Sequence, residues 1–139
     1  MRKIGIVGLA LGLVALGLLP RIASAQAAGV VVNIPFAFTV ENTKLPAGTY
    51  EIAKIKDWNY RITNQKSHQQ AMFMTETTPI AQPVASFTLF FNAYGDQYFL
   101  SKFFHRGRTS GDMLRQTDAE KALAAKGPAK VKTVVEKTK

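Results

Sequence analysis

Residues 30–41, VVVNIPFAFTVE, place an apolar side chain at every even position: Val30, Val32, Ile34, Phe36, Phe38 and Val40 alternate with Asn33, Pro35, Ala37, Thr39 and Glu41. A period of two sustained this long belongs to a strand with one face buried and the other in water. Pro35 has no amide hydrogen for a ladder, so the strand lies at a sheet edge or carries a bulge there. Glu41-Asn42-Thr43-Lys44 then turns the chain. Leu45-Pro46-Ala47-Gly48 leads into Thr49 to Ile55, where Tyr50 and Ile52 face one way and Glu51 the other. A hairpin is the simplest reading.

Outward from this stretch the same signal recurs at Trp58 to Thr63, Ala71 to Thr75, Phe87 to Tyr94 and Gln97 to Phe104. Gly95-Asp96 is a Gly-X pair between two such runs. Glycine accepts φ > 0 at the first turn position, so a type II′ hairpin is expected. Phe87-Thr88-Leu89-Phe90-Phe91 and Tyr98-Phe99-Leu100 are apolar on both faces, which places these strands centrally, covered on both sides. The expected class is all-β: a small antiparallel sandwich or open barrel of about six strands, followed by a short C-terminal helix and a flexible basic tail. The helix signal is Thr117-Asp118-Ala119-Glu120, a capping box, with Gly127-Pro128 as the stop. Its apolar stripe is only Ala119, Ala122 and Leu123. Lys130 to Lys139 carries no aromatic and reads as a solvated end.

The 139 residues hold 18 Lys+Arg against 9 Asp+Glu and no cysteine. One domain fits this length. All the aromatic residues lie between Phe36 and Phe104, so the β domain is placed at 30–112 and the helix and tail at 113–139. The tail segment has 7 basic and 3 acidic residues, the β segment 8 and 6, so most of the excess charge sits in the tail. Zero cysteines rule out disulfides, iron–sulfur clusters and cysteine-ligated zinc.

The first 25 residues contain no acid. Arg2 and Lys3 precede an uncharged run from Ile4 to Leu19, then Pro20 and the small-residue sequence Ala23-Ser24-Ala25. This is the order of a secretory signal peptide, with cleavage after Ala25 or Ala27. The apolar run falls short of the roughly 20 residues of a bilayer span. An uncleaved anchor is the alternative, favoured slightly by Arg21. Cleavage leaves no membrane span and puts the protein in the periplasm or outside the cell.

The blocks VNIPFAFTV, LPAGTYEI, LFFNAYGDQYFLS and GDMLRQTDAEKAL, in this order, resemble a family of short exported β-rich proteins of soil bacteria. They cover about half of the chain beyond residue 25. The resemblance implies export and a β fold, and it brings no active site with it. The family pattern is less basic where this chain has Phe103-Phe104-His105-Arg106-Gly107-Arg108.

The inventory of chemical groups is thin. The two histidines, His68 and His105, have no second histidine at i+2 or i+4, so no metal site and no cofactor is expected. No serine sits in a Gly-x-Ser-x-Gly elbow. A small hydrolase would have to assemble His105 with Ser110 and Asp112, and no catalytic residue is assigned. Lys102, His105, Arg106 and Arg108 interleave with Phe103 and Phe104 as a polyanion site would require. An ordinary strand end with a solvated basic loop is the plainer reading. Trp58 stands beside Asp57 and Asn59, where an exposed indole with Tyr60 would stack on a sugar, against the burial usual for tryptophan. The expectation is an exported, non-enzymatic, envelope-associated binding or structural protein. Its partner would be an anionic envelope component or polysaccharide, since export argues against nucleic acid. A carbohydrate- or small-ligand-binding module and a small hydrolase are the alternatives. The sequence fixes no oligomeric state.

Overall fold

The computed structural model describes residues 29–137, so the expected signal peptide and both cleavage points lie outside the described residues. The fold is an all-β sandwich with one short helix near the C-terminus. Its strands are β1 (Val30–Ile34), β2 (Phe38–Val40), β3 (Thr43–Leu45), β4 (Gly48–Lys56), β5 (Asn59–Asn64), β6 (Gln70–Met74), β7 (Glu76–Pro79), β8 (Thr88–Tyr94), β9 (Gln97–Phe104), β10 (Ser110–Met113) and β11 (Lys130–Val135). The helix α1 spans Asp118–Ala124. The first sheet has the order β1-β4-β5-β6; the second runs β11-β8-β9-β10-β7, with β2 joined to β9 and β3 to β2.

Among the described residues eleven strands stand where about six were expected, because the chain changes sheet in mid-run. The alternating stretch 30–40 breaks at Pro35: β1 is the edge of the first sheet, while β2 enters the second, parallel to β9 at Thr39 and Phe99. A residue without an N–H is well tolerated at such a crossing. β1 does pair antiparallel with β4, Val32 opposite Tyr50, but a second hairpin, β2–β3, is inserted between them. Thr75 marks the other crossing, from β6 into β7. β7, a polar edge strand, and β10, a short strand between it and β9, are the ones that lacked an alternating signal.

The inner faces interdigitate as their alternation requires. Val32, Ile34, Phe38, Tyr50, Ile62, Leu89, Phe91 and Phe103 are all but inaccessible. Tyr50 keeps its hydroxyl satisfied by donating to the Pro46 carbonyl, which accounts for the Leu-Pro-Ala-Gly-Thr-Tyr run before β4. Phe103 is ringed by Tyr60, Phe73 and Phe87 at centroid distances of 5.1, 6.2 and 5.7 Å. Truncating it to alanine would cost about 3–5 kcal/mol. β8 and β9 are interior strands as expected, joined by a two-residue turn in which Gly95 takes φ 60° and Tyr94 faces Gln97.

The core does not end at residue 112, and residues 130–135 are not a free tail. Leu114 and Val134 are buried, and β11 pairs with β8 along its whole length, Lys130 opposite Ala93 through Val135 opposite Thr88. Its valines and threonine suit a strand, and β8 would otherwise present an open edge. The lysines that made the segment look solvated are a usual feature of edge strands.

The helix starts as expected: Thr117 is its N-cap, accepting from the Glu120 amide at 3.3 Å. The Glu120 side chain does not close a capping box, however. It is buried on the outer face of the second sheet, accepting from Asn92 Nδ2 at 2.8 Å and the Tyr94 hydroxyl at 3.2 Å. Ala119 and Ala122 are exposed, so a carboxylate, not an alanine stripe, docks this helix.

Candidate functional site

Three places bring chemically capable side chains together. The first is a polar network at one end of the sandwich. Asp112 of β10 points inward, opposite Phe103 of β9, and is buried. Its Oδ1 accepts from the buried Thr75 hydroxyl at 2.8 Å. Burial, the Asp112 charge and a hydrogen bond to that carboxylate push the Tyr60 hydroxyl well above its usual pKa, so Tyr60 is a neutral donor. Asp112 is thus engaged by Tyr60 and Thr75. Buried polar groups need this satisfaction, and here it ties β5, the β6–β7 crossing and β10 together.

His105 follows Phe103 on β9's trailing end, half-buried, its ring 5.0 Å from that of Phe87 and 6.0 Å from that of Phe103. Burial, then the nearby Arg108 charge, hold its pKa below the usual histidine value, with Asp112 opposing. The imidazole is therefore neutral at neutral pH. No hydrogen bond among the described residues joins it to Asp112 or Ser110, and Ser110 is exposed. The geometry supplies a packed ring and a structural carboxylate, with no aligned nucleophile and base.

The second place is the seam between the edges of β1 and β11. An open cleft of ≈ 670 Å³ lies there, lined by Val31, Phe87, His105, Arg106, Glu136 and Lys137 among others. It continues along β1 toward Pro35, where Lys132 and Val134 form the opposite wall. Lys132 stands opposite Phe91 and so projects from the inner face of β11 over this opening.

The third place is the β4–β5 hairpin tip. Trp58, for which core packing was the plainer expectation, is 50 % exposed there, because the tight turn, with Asp57 at φ 47°, leaves it outside both sheets. Lys54 Nζ lies 5.8 Å from the indole centroid. Tyr60 does not join Trp58 in a surface patch. It is 5 % exposed and stacked on Phe73, which removes the sugar-stacking pair expected of these two residues.

The basic run is likewise divided. Lys102 lies on the outer face of the second sheet, its Nζ 5.3 Å from the Phe90 ring. Phe103 and Phe104 are buried on opposite faces, and Arg106 and Arg108 are exposed in a loop that turns through Gly107 at φ 73°. His68 sits in the exposed β5–β6 turn with φ 61°. Among the described residues no group of three or more His, Asp or Glu side chains is placed to hold a metal ion. No helix among them is long and apolar enough to cross a membrane.

Reading the sequence missed Asp112, Thr75 and Glu120 as buried polar groups. For Glu120 the signal was available in retrospect, since Asn92 and Tyr94 interrupt an otherwise apolar strand and required partners. Asp112 carried no such mark, because its partners lie far away in sequence. Comparison with protein-family models, with curated proteins and with solved structures finds no match to this chain.

Proposed function

We propose that this is an exported, non-enzymatic protein of the periplasm or cell exterior, associated with the envelope through polyanionic components such as uronate- or phosphate-bearing polymers. The observation that carries the reading is how charge is divided between core and surface. Over residues 29–137 the chain has 14 Lys+Arg against 9 Asp+Glu. Two of those acids, Asp112 and Glu120, are buried and hydrogen-bonded within the protein. All 14 cations remain exposed or half-buried. The surface is therefore more basic than the composition implies, and each neutralised anion adds salt-dependent attraction without a shaped pocket.

The test is binding to immobilised polygalacturonate from about 0.01 M to about 1 M salt, over which the screening length falls from roughly 30 Å to roughly 3 Å. Binding that falls steeply with salt, and weakens when the exposed Lys126, Lys130 and Lys137 are replaced by glutamine, is expected. Absence of binding at low salt refutes the reading. Substitution is the right perturbation here: deleting residues 113–139 would remove β11, α1 and the buried Leu114 and so test folding instead of charge.

A further inference from the structure

The second surface feature to explain is an apolar corner of the first sheet. Ile55, Trp58, Met72 and Met74 are exposed by 46, 50, 61 and 61 %. Pairing places them near one end of the sheet: Met74 stands opposite Asn59 and Met72 opposite Arg61 on its outer face, Ile55 occupies the irregularity between Lys54 and Lys56 at the end of β4, and Trp58 lies in the turn that follows. The Trp58 carbonyl accepts from the Thr75 amide at 2.9 Å, which fixes the hairpin tip beside the end of β6. Single exposed apolar residues are ordinary. Four large ones at one corner mark an interaction surface.

Charge decides the occupant. Lys56 and Arg61 lie on the methionines' face and Lys54 on the other, opposite Tyr60, against Asp57 and a Glu41 carboxylate already accepting from the Met74 amide at 3.2 Å. Lys54 lies beside the indole. A second copy of this basic chain would bring like charges together. A neutral sugar would leave the methionines and the cations unused. An anionic bilayer satisfies all of it: indole at the headgroup level, Ile and Met side chains among the upper acyl carbons, ammonium and guanidinium groups on phosphate. We infer that the β4–β5 hairpin tip and the end of β6 form a shallow insertion surface for anionic phospholipid bilayers, with Trp58 as its anchor. This deepens the proposed envelope association by naming the lipid surface, and it rests on that reading.

Trp58 is the sole tryptophan, so the proposal carries its own reporter. Protein recovered from the secreting cell, its N terminus defined by mass spectrometry so that a retained leader is not scored as binding, is titrated with phosphatidylglycerol and with phosphatidylcholine vesicles. On the anionic vesicles alone, Trp58 emission should shift to the blue and be quenched by lipids brominated near the headgroup end of the chains. M72S/M74S should weaken vesicle binding about ten-fold, from the lost apolar burial. K54Q and K56Q should each weaken it about five-fold. M72S/M74S should leave polygalacturonate binding nearly unchanged, since it removes no charge, and all three variants should leave thermal unfolding nearly unchanged, since these side chains are exposed. Salt-sensitive vesicle binding with unshifted, unquenched Trp58 overturns the insertion surface and leaves polyanion association standing. No binding to either vesicles or polygalacturonate overturns both. A dimer by sedimentation that M72S/M74S converts to monomer assigns the corner to a second copy and overturns the lipid proposal.

Discussion

Gly111 is the position where the sandwich has least room, and replacing it with alanine gives a sharp test of how the second sheet is packed. It lies in β10 between β9 and β7, opposite Thr78. A Cβ added there would stand 2.5 Å from the Phe103 carbonyl oxygen and closer still to the Phe104 ring, where real Cβ contacts essentially never fall below 3.0 Å. The backbone oxygen must therefore recede by at least 0.5 Å, the difference of those two distances. Phe103 is in ladder register with Asp112 and packed against three aromatic rings, so it cannot recede without loosening both. Overpacking costs about 1–3 kcal/mol, and a backbone obstacle puts this case at about 3. With a urea m-value of about 1–3 kcal/mol/M, the unfolding midpoint should drop by roughly 1–3 M. Gly127→Ala is the control: nothing lies within 4 Å of its added Cβ, and stability should hold or rise by up to about 1 kcal/mol. A Gly111→Ala loss below about 0.5 kcal/mol would refute the packing argument.

Three further outcomes follow from the same contacts. Glu120→Ala strands Asn92 Nδ2 and the Tyr94 hydroxyl and should cost about 1–3 kcal/mol, with faster hydrogen exchange across residues 118–124, whereas Glu120→Gln keeps an acceptor oxygen and should cost less. Removing residues 130–139 uncovers the β8 edge and takes Val134 out of the core, so the shortened protein should unfold earlier and self-associate, seen by thermal melting with light scattering. His105 is held below its ordinary pKa of about 6.5 by burial and Arg108, so the unfolded chain binds its proton more readily than the folded one. Its neutral form costs nothing above about pH 7. Stability should fall as pH drops below about 6.5, and His105→Gln should flatten that slope in urea titrations run across the range.

What could be read from the chain in advance was whatever repeats locally. Period-two alternation located the stretch that divides into β1 and β2 and located β4, β5 and β6, runs apolar on both faces located β8 and β9, and glycine chemistry located the β8–β9 turn. Thr117 announced the helix start because an N-cap is a four-residue device. The misreadings share a cause: each concerns a residue whose role is set by a partner distant in sequence. Val131 to Val135 form a strand because β8 offers an edge 39 to 47 residues earlier. Asp112 is buried because Tyr60 and Thr75 converge on it from the other sheet and from a crossing point. Trp58 is exposed because turn geometry at Asp57, not hydrophobicity, decides where a hairpin-tip side chain goes. Patterning reports which face a residue would prefer; it does not report whether another strand arrives to cover it.

The two sheet crossings connect this folding logic to the surfaces. At Thr75 the run β6–β7 passes from one sheet to the other and closes that side of the sandwich, with the Thr75 hydroxyl bonded to Asp112 to fix the bend. At Pro35 the run β1–β2 also crosses, but β1 is left as a free edge facing the free edge of β11. One side is thus continuous and the other an open seam. An open pair of edges invites added strands, and Lys132, projecting from the inner face of β11 into the seam, is what opposes it: an incoming strand would have to desolvate that ammonium. The same cations that make the surface basic therefore have a prior structural use on β11, whereas Lys54 and Lys56 at the hairpin tip protect no free edge, since β4 is paired on both sides. Replacing Lys132 should expose an association-prone seam, and replacing Lys54 or Lys56 should not, which separates cations kept for solubility from those available for binding.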